Sequence, residues 1–302
     1  MKTINPKDSS TGQLHAHMLG AVGPRPIAFA STVDKDGNPN LSPFSFFNAF
    51  GSNPATLIFS PARRVRDNTT KHTLENVKEV PEVVINVVSH AMVEQMSLAS
   101  TEYNKGVNEF TKSGFTPIKS EAVKPFRVKE SPAQFECKVV NIIETGTEGG
   151  AGNLIVCEIL RMHISEDVLD ADGHIDQHKI DLVGRLGGNW YVRASGEALF
   201  EVEKPIRNKG IGVDQLPVGI LTSKVLTGNN LGQLGNVEAI PSISEVHAYR
   251  SNAAIEEILS EGGAKEDVEH RLHQLAKVLL AENKVTDAWK VLLQDVYLNV
   301  ST

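Results

Sequence analysis

A basic segment, Pro61–Thr73, contains the residues of this chain best suited to bind an anion. Its charged side chains are Arg63, Arg64, Arg66, Asp67 and Lys71. They give a local charge of 4 − 1 = +3 in a chain whose formal net charge is −7. Cations, hydroxyl donors and free backbone N–H groups at a helix start are what a phosphate group requires. A solvated surface loop is the alternative, because most runs of charge are solvated.

The elements around this segment must position it. A strand from Ile27 to Val33 leads into a turn that contains Asp36-Gly37, and a polar and aromatic run, Asn40 to Asn48, returns from it. Asp-Gly between two such runs predicts a hairpin. A third strand, Thr56 to Ser60, then leads into the basic segment. A short helix should follow, with Thr70 or Thr73 as its N-cap, and should end at Glu79 because Pro81 disfavours helical geometry at Val80.

Further along, the pattern continues to predict strands with short helices. The β-branched run Val83–Val88 lacks alternation, which predicts a strand buried on both faces. A long hairpin should join Ala133–Thr145 to Asn153–Ile164. The glycine-rich turn between them, 146–152, lacks the spacing of a nucleotide-binding loop, and no helical pattern follows it, so it is interpreted as a flexible hairpin tip. Mainly hairpin-connected strands favour an antiparallel barrel over a parallel doubly wound sheet.

The histidines and cysteines do not predict a metal centre. His15 and His17 have no acidic or cysteine partner nearby, and Gly173 makes a shared helical face for His174 and His178 improbable. The two cysteines, Cys137 and Cys157, are too few for a thiolate cage and lie in apolar runs, so buried free thiols are expected. We therefore expect no metal.

The last third of the chain changes character after Pro205. Residues 210–236 are rich in Gly, Asn and Leu and are expected to form an extended arm. Ser242 and Glu245 fit a capping box that starts a helical region. Two apolar stripes with helical spacing follow, separated by Asn283. The stripes consist of Val268, Leu272, Leu275 and Leu279, and of Trp289, Leu292, Leu293 and Val296.

Composition limits the classes of function. A net charge of −7 and a pI near 5.8 argue against broad nucleic-acid binding. No apolar run is long enough to span a membrane, and the residues after Met1 lack the apolar core of a signal peptide, so a cytoplasmic protein is expected.

Several motifs in this order resemble the flavin reductase-like family with the FMN-binding split β-barrel, including its flavoredoxin-like members. They are Pro24-Arg25-Pro26-Ile27-Ala28-Phe29, the hairpin with Asp36-Gly37, Asn40–Asn48, Lys71–Asn76, the strand with Asn86, and Arg185-Leu186-Gly187-Gly188 before Tyr191. Many relatives have Lys-Asp-Thr where this chain has Lys71-His72-Thr73. The resemblance implies a mainly β split antiparallel barrel with short helices over residues 1–204, followed by the arm and a helical extension over 205–302.

The resemblance also implies a site. FMN would lie in a groove near a homodimer interface, with its phosphate on the basic segment and its ring edge against Ser42 to Asn48. The expected FMN-binding residues are Arg25, Pro26, Ser42, Pro43, Phe44, Ser45, Phe46, Phe47, Asn48, Ser60, Arg63, Arg66, Asn68, Thr69, Thr70, Lys71, Thr73 and Asn76. His163 and Arg185 are the candidate catalytic residues, which would orient a nicotinamide or stabilise reduced flavin.

The implied reaction is hydride transfer from NADH or NADPH to flavin, which carries the redox chemistry itself. Electrons would then pass to free flavin, a partner oxygenase or another redox protein. An FMN-binding electron carrier without efficient NAD(P)H oxidation is the alternative. A non-enzymatic scaffold that acts through the helical tail is a third hypothesis.

Overall fold

The computed structural model describes the backbone of residues 1–298 and side chains through residue 294. The strands are β1 Ala28–Val33, β2 Pro39–Phe44, β3 Phe47–Ser52, β4 Ala55–Phe59, β5 Glu82–Asn86, β6 Pro117–Ile118, β7 Arg127–Val128, β8 Ala133–Glu144, β9 Asn153–Ile164, β10 Val183–Arg185 and β11 Tyr191–Arg193. The helices are α1 Thr11–Ala21, α2 His72–Glu79, α3 Val93–Leu98, α4 Glu109–Ser113, α5 Val218–Leu221, α6 Gly228–Gly235, α7 Ile243–Tyr249, α8 Ala253–Glu261, α9 Lys265–Ala281 and α10 Val285–Leu298. Short 3-10 turns lie at Pro6–Asp8, His90–Met92, Glu166–Val168, Gly196–Ala198 and Val213–Gln215.

The main sheet of the described chain has seven antiparallel strands in the order β2-β1-β5-β8-β9-β4-β3. β2 and β3 lie at opposite edges, yet only Ser45 and Phe46 separate them in sequence. A flat sheet of this size would be about 29 Å wide, whereas three Cα steps span at most about 11 Å. The sheet must therefore coil until its two edges come close together. The edges are not hydrogen-bonded to each other within the described chain, so the barrel is not closed.

The coiled sheet separates two apolar clusters. Ala28 and Ala30 of β1 face the interior cluster, together with Phe59, Ile85 and Cys157. The other face of β1 contributes Phe29 to a second cluster, which also contains Met92, Met96, Phe110, Phe115 and Val183. β1 is consequently buried at every position. Strand β5 ends at Asn86 rather than at Val88, and its alternating neighbours Val83, Val84 and Ile85 are all fully buried, which confirms burial on both faces for this part of the predicted strand.

The long hairpin is the most accurately predicted element, since β8 and β9 match the expected bounds to within a residue. Cys137 and Cys157 are buried free thiols, as expected, and burial raises the pKa of Cys137 to about 12. The hairpin prediction around Asp36-Gly37 is also confirmed, and Gly37 has a positive φ of 86°.

Other local expectations were wrong. The run Asn40–Asn48 is not a single strand: it divides at Ser45-Phe46 into β2 and β3, because the sheet needs a connection there although the residues lack turn signals. Helix α2 has Lys71 as its N-cap, without a side-chain cap, rather than Thr70 or Thr73. Both threonine hydroxyls are engaged elsewhere, as described below.

The described chain divides into two compact units, Met1–Phe200 and Glu201–Thr302. In the second unit, the segment expected to be an extended arm contains α5 and α6. Thr227 and Asn230 form a capping box that starts α6, and Leu234 is fully buried, which offsets the weak helix propensity of its glycines. The Ser242 capping box is confirmed, and Asn283, at a φ of 59°, separates α9 from α10. The Val296 side chain lies outside the described residues.

Trp289 is fully buried in the apolar cluster of the second unit, where its indole N–H donates to the Leu234 carbonyl at 3.1 Å. Packing, rather than cofactor contact, therefore accounts for the apolar stripes of α9 and α10. None of the helices that the structure describes is both long and apolar enough to cross a membrane.

Candidate functional site

The start of α2 forms one wall of a polar, partly open cavity that is also lined by Arg64, Ser100 and Glu102. The first turn of a helix leaves backbone N–H groups without intrahelical partners. Within the described chain, the backbone N–H groups of residues 70–73 make no hydrogen bond, whereas those of Thr69 and Leu74 do. Four consecutive free donors at a helix start suit an anion.

A cluster of cations lies beside these donors. Arg64 and Lys71 line the cavity and are only partly exposed, whereas the Arg66 side chain is 76% exposed. All three contact the carboxylate of Glu102, which lies beyond the end of α3. Hydrogen bonds from Arg64 and then Lys71 lower the pKa of Glu102 to about 2, so it is ionised at neutral pH.

The threonines of the basic segment are engaged with neighbouring side chains. Thr69 donates its hydroxyl to Asp67 at 2.6 Å, and Thr70 donates to Glu75 at 2.9 Å. Thr73 is buried and accepts from the Asn40 side-chain amide at 3.0 Å. Thr73 therefore fixes the first turn of α2 to strand β2.

Arg63 and Asn68 form the outer part of the segment. The Arg63 guanidinium donates to the side-chain and backbone oxygens of Asn68 at 2.7 and 2.6 Å. The turn between β8 and β9 packs beneath them, because Arg63 N donates to Ala151 O and Gly150 N donates to Arg63 O. A Cβ on Gly149 would lie 3.0 Å from a backbone oxygen of Arg64, so glycine permits this close approach. The predicted hairpin tip thus supports the basic segment.

Ser60 and Asn76 have structural partners. The buried Ser60 hydroxyl accepts from Asn153 N at 2.9 Å, at the point where β4 ends. The buried Asn76 amide donates to the Thr32 hydroxyl at 3.1 Å. These contacts hold the basic segment between β1 and β9.

The other end of the predicted groove is organised by Arg25. Its guanidinium is 5% exposed and donates to the carbonyls of Leu19, Val22 and Leu186, and at 3.4 Å to the Ser45 hydroxyl. Burial, with a smaller effect of the nearby Arg185 charge, lowers the pKa of Arg25. Arg25 therefore joins the end of α1 to the β2–β3 connection and to the turn after β10.

Arg185 lies next to Arg25 because their backbones exchange two hydrogen bonds, at 3.0 and 2.8 Å. Its guanidinium lies 4.5 Å from the centre of the Tyr191 ring. Gly184 allows this arrangement, since a Cβ there would lie 2.8 Å from Pro24. The candidate catalytic Arg185 is thus connected to Ser45 through Arg25, which hydrogen-bonds to both residues.

His163 is in a different place. It lies near the end of β9, whereas the basic segment contacts the start of that strand, ten residues earlier. Its Nε2 lies 2.7 Å from the Glu136 carboxylate, which is fully buried. Burial alone would raise the pKa of Glu136, but hydrogen bonds from the backbone of Glu121 and Ala122, and then from His163, lower it. This geometry favours a structural role for His163 over the predicted catalytic one.

The remaining residues of the predicted ring end differ in exposure. Ser42 lines the cavity. Pro43 pairs with Phe29, and Phe44 and Phe47 pack on the interior cluster, so Phe44 is a core residue. Phe46 makes an edge contact with His15, whereas Pro26 and Asn48 are exposed.

His72 and Glu109 also line the cavity, and neither was among the predicted binding residues. Burial, together with surrounding cations and against the opposing effect of Glu75, lowers the pKa of His72. Glu109 is buried, accepts from Leu41 N at 3.1 Å, and has a pKa raised by burial. The cavity thus combines cations, amides and hydroxyls with a buried carboxyl group whose pKa is raised.

Arg64 and Glu102 were also absent from the expected binding set. Arg64 was counted in the charge of the segment, and its half-buried position could not be distinguished from its neighbours by sequence. Glu102 follows Lys71 by 31 residues, so no local pattern connects them.

The chain resembles several known proteins. Residues 21–179, more than half of the chain, match the flavin reductase like domain. An uncharacterised Aquifex aeolicus protein is 38% identical over 65% of this chain and 97% of its own length. Component B of nitrilotriacetate monooxygenase from Bacillus cereus is 28% identical, with a TM-score of 0.62 over 67% of this chain and 98% of that chain. The 2-nitrobenzoate 2-nitroreductase of Pseudomonas fluorescens is 26% identical, with a TM-score of 0.59 over 67% and 96%.

The fold is thus a coiled antiparallel sheet with a cation-lined polar cavity at a helix start, a location that favours anions. The matched domain identifies the class of protein: the chain belongs to the flavin reductase-like family.

Proposed function

We propose that the protein is an FMN-dependent oxidoreductase that passes hydride from NADH or NADPH, through flavin, to free flavin or a partner acceptor. The observation that carries this proposal is that Arg64 and Lys71 line one cavity together with the start of α2, where the backbone N–H groups of residues 70–73 make no hydrogen bond. Bound flavin would supply the redox chemistry. The chain's own residues would bind and orient it.

The charges of the basic segment and of Glu102 fit a phosphate monoester. Arg63, Arg64, Arg66 and Lys71 supply four positive charges, and Asp67 and Glu102 supply two negative ones, which leaves 4 − 2 = +2. A phosphate monoester carries about −1.5 to −2 at pH 7. Arg64 and Lys71 are the best placed cations, and Arg63 and Arg66 would act at longer range.

The ring would extend from this cavity towards Ser42, Ser45 and Arg185. Ser42 lines the cavity itself, and Ser45 is held by Arg25. Arg185, whose guanidinium lies over the Tyr191 ring, would orient a nicotinamide or stabilise the negative charge of reduced flavin. This arrangement follows the coiled sheet edge where β2 passes into β3.

The acceptor is the less constrained part of the proposal. Similarity to a monooxygenase component supports a partner oxygenase that uses reduced flavin, and similarity to a nitroreductase supports direct reduction of a small molecule. A flavin that mainly carries electrons from another donor is the competing proposal.

We also propose that the protein forms a homodimer through the outer face of its sheet. An antiparallel sheet usually has one polar, solvated face. Here Ile58 pairs with Val156 and Leu154 pairs with Ile143 on that outer face, and Ile143 is 46% exposed. Contiguous apolar surface of this kind marks an interaction site. Sedimentation that gives a concentration-independent monomer would contradict the dimer.

Anaerobic mixing with each nicotinamide tests the proposed activity. Protein loaded with FMN should lose its flavin absorbance on mixing with NADH or NADPH and regain it when free flavin or oxygen is added. A bound flavin that dithionite reduces but neither nucleotide reduces would rule out hydride transfer from NAD(P)H. It would favour the alternative of an FMN-binding electron carrier.

A further inference from the structure

The Glu102 carboxylate is the meeting point of three cationic side chains. Its Oε1 lies 2.9 Å from Arg64 Nε and 3.2 Å from Lys71 Nζ, and its Oε2 lies 2.9 Å from Arg66 Nη2. Both oxygens are therefore engaged by the basic segment. Arg64 also uses Nη1 for Thr69 and for the carbonyl of Thr70, so its guanidinium is largely committed.

We propose that Glu102 is an internal competitor for the flavin phosphate and thereby sets how readily flavin exchanges. This inference rests on the proposed function, since it assigns the phosphate to the same cations. Glu102 and a phosphate both present oxygen anions to Arg64 and Lys71, and a group cannot donate the same hydrogen to both. Binding of the phosphate therefore requires these cations to leave Glu102 or to share their donors with it.

The geometry allows such an exchange. The Glu102 side chain is 41% exposed, so release of its carboxylate returns it to water and does not strand a buried charge. Exposed ion pairs are individually weak, whereas a phosphate dianion would also gain the free N–H groups of residues 70–73. The phosphate can therefore displace Glu102 from the cations, but it binds with lower affinity than it would without the carboxylate. Glu102 also keeps the cations together before flavin arrives.

The consequence is a flavin that binds and leaves during turnover, as a reductase that delivers reduced flavin to an acceptor needs. Without the carboxylate, the same cations would hold the phosphate more tightly. The effect of Glu102 on affinity should require the phosphate of FMN. Riboflavin has the same ring and ribityl chain but no phosphate, so its affinity should not change when Glu102 is replaced.

The test compares wild type with Glu102→Gln, which removes the charge and keeps the side-chain size. The matched control is Glu121→Gln, which removes an equal charge from an exposed ion pair with Arg161. FMN and riboflavin affinities are measured for each protein by quenching of flavin fluorescence, together with the thermal midpoint of flavin-free protein. Loss of two or three partly exposed pairs predicts FMN binding roughly three- to thirtyfold tighter in Glu102→Gln, with riboflavin binding and the Glu121→Gln control unchanged.

A second readout separates competition from a structural role. Flavin-free Glu102→Gln should melt at a lower temperature than wild type, because three cations lose their counterion, while FMN should raise its midpoint by more than it raises that of wild type. Lower stability with weaker FMN binding would show that Glu102 only shapes the loop, and would overturn the proposal. If wild type binds FMN more tightly than riboflavin but Glu102→Gln has the same FMN affinity as wild type, the competition by Glu102 is rejected and the phosphate assignment stands. Equal binding of FMN and riboflavin by wild type would reject the phosphate assignment as well.

Discussion

Arg64 Nε and Glu102 Oε1 lie 2.9 Å apart, although 38 residues separate them in the chain. The contact joins the basic segment before α2 to the segment that follows α3. The cavity at the start of α2 is therefore assembled from separate parts of the chain, and the basic segment together with Glu102 carries a charge of +2 rather than the +3 of the segment alone.

Lys71 should be a main determinant of FMN affinity. A charge-assisted hydrogen bond contributes about 1.5–3 kcal/mol, so Lys71→Ala should weaken FMN binding by roughly 10- to 150-fold. Lys78→Ala is the matched control, because Lys78 lies on the same helix but pairs with Glu144 at the surface. Titration of each protein with FMN measures the effect. Equal losses in the two variants would mean that only general charge matters.

Arg25 should act as a structural clamp between α1 and the sheet. Arg25→Ala removes a charged donor from the partly buried hydrogen bonds to the carbonyls of Leu19, Val22 and Leu186, and a hydrogen bond to a charged group contributes about 1.5–3 kcal/mol. Hydrogen exchange of the amides of α1 should accelerate by roughly tenfold or more. Arg193→Ala, which breaks an exposed pair with Asp181, should leave α1 unchanged. Unaltered α1 protection in Arg25→Ala would contradict the clamp.

Glu109 should make stability depend on pH. Burial raises its pKa above the ordinary value of 4.5. The protonated carboxyl is thus favoured by folding, and this contribution is present below pH 4.5 and is lost as the pH rises through the raised pKa. Glu109→Gln, which stays neutral, should therefore gain thermal stability relative to wild type between pH 4.5 and pH 8. A change of about 1 kcal/mol in the free energy of unfolding shifts the melting temperature by roughly 2–4 °C in a domain of this size.

The control for this pH effect is Glu94→Gln, at an exposed position on α3. It removes a carboxylate that is not buried. A Glu109→Gln difference from wild type that does not change with pH would contradict the raised pKa of Glu109.

Much of the fold could be predicted from local patterns. The Asp36-Gly37 turn, the β8–β9 hairpin and the Ser242 capping box are each determined by residues that are close together in sequence. The division at Ser45-Phe46 could not be found this way, because the connection is imposed by the coiling of the whole sheet. Helix α1 was missed although Ser10 and Gln13 form a capping box, since it has no buried residue and so no apolar stripe.

The candidate site was predictable in part. The basic segment and its position at a helix start follow from sequence, whereas the backbone pairing of Arg185 with Arg25 does not. Which cation is sheltered, and which carboxylate opposes it, depends on contacts between distant segments. His163 illustrates the same limit, because only the strand register reveals its buried partner, Glu136.

The most direct test of the account is the affinity of the wild-type protein for FMN compared with riboflavin, measured by calorimetry at low salt and repeated with inorganic phosphate as competitor. If the cavity at the start of α2 holds the flavin phosphate, FMN should bind at least tenfold more tightly than riboflavin, and phosphate should weaken FMN binding only. Equal affinities that phosphate does not change would contradict the account.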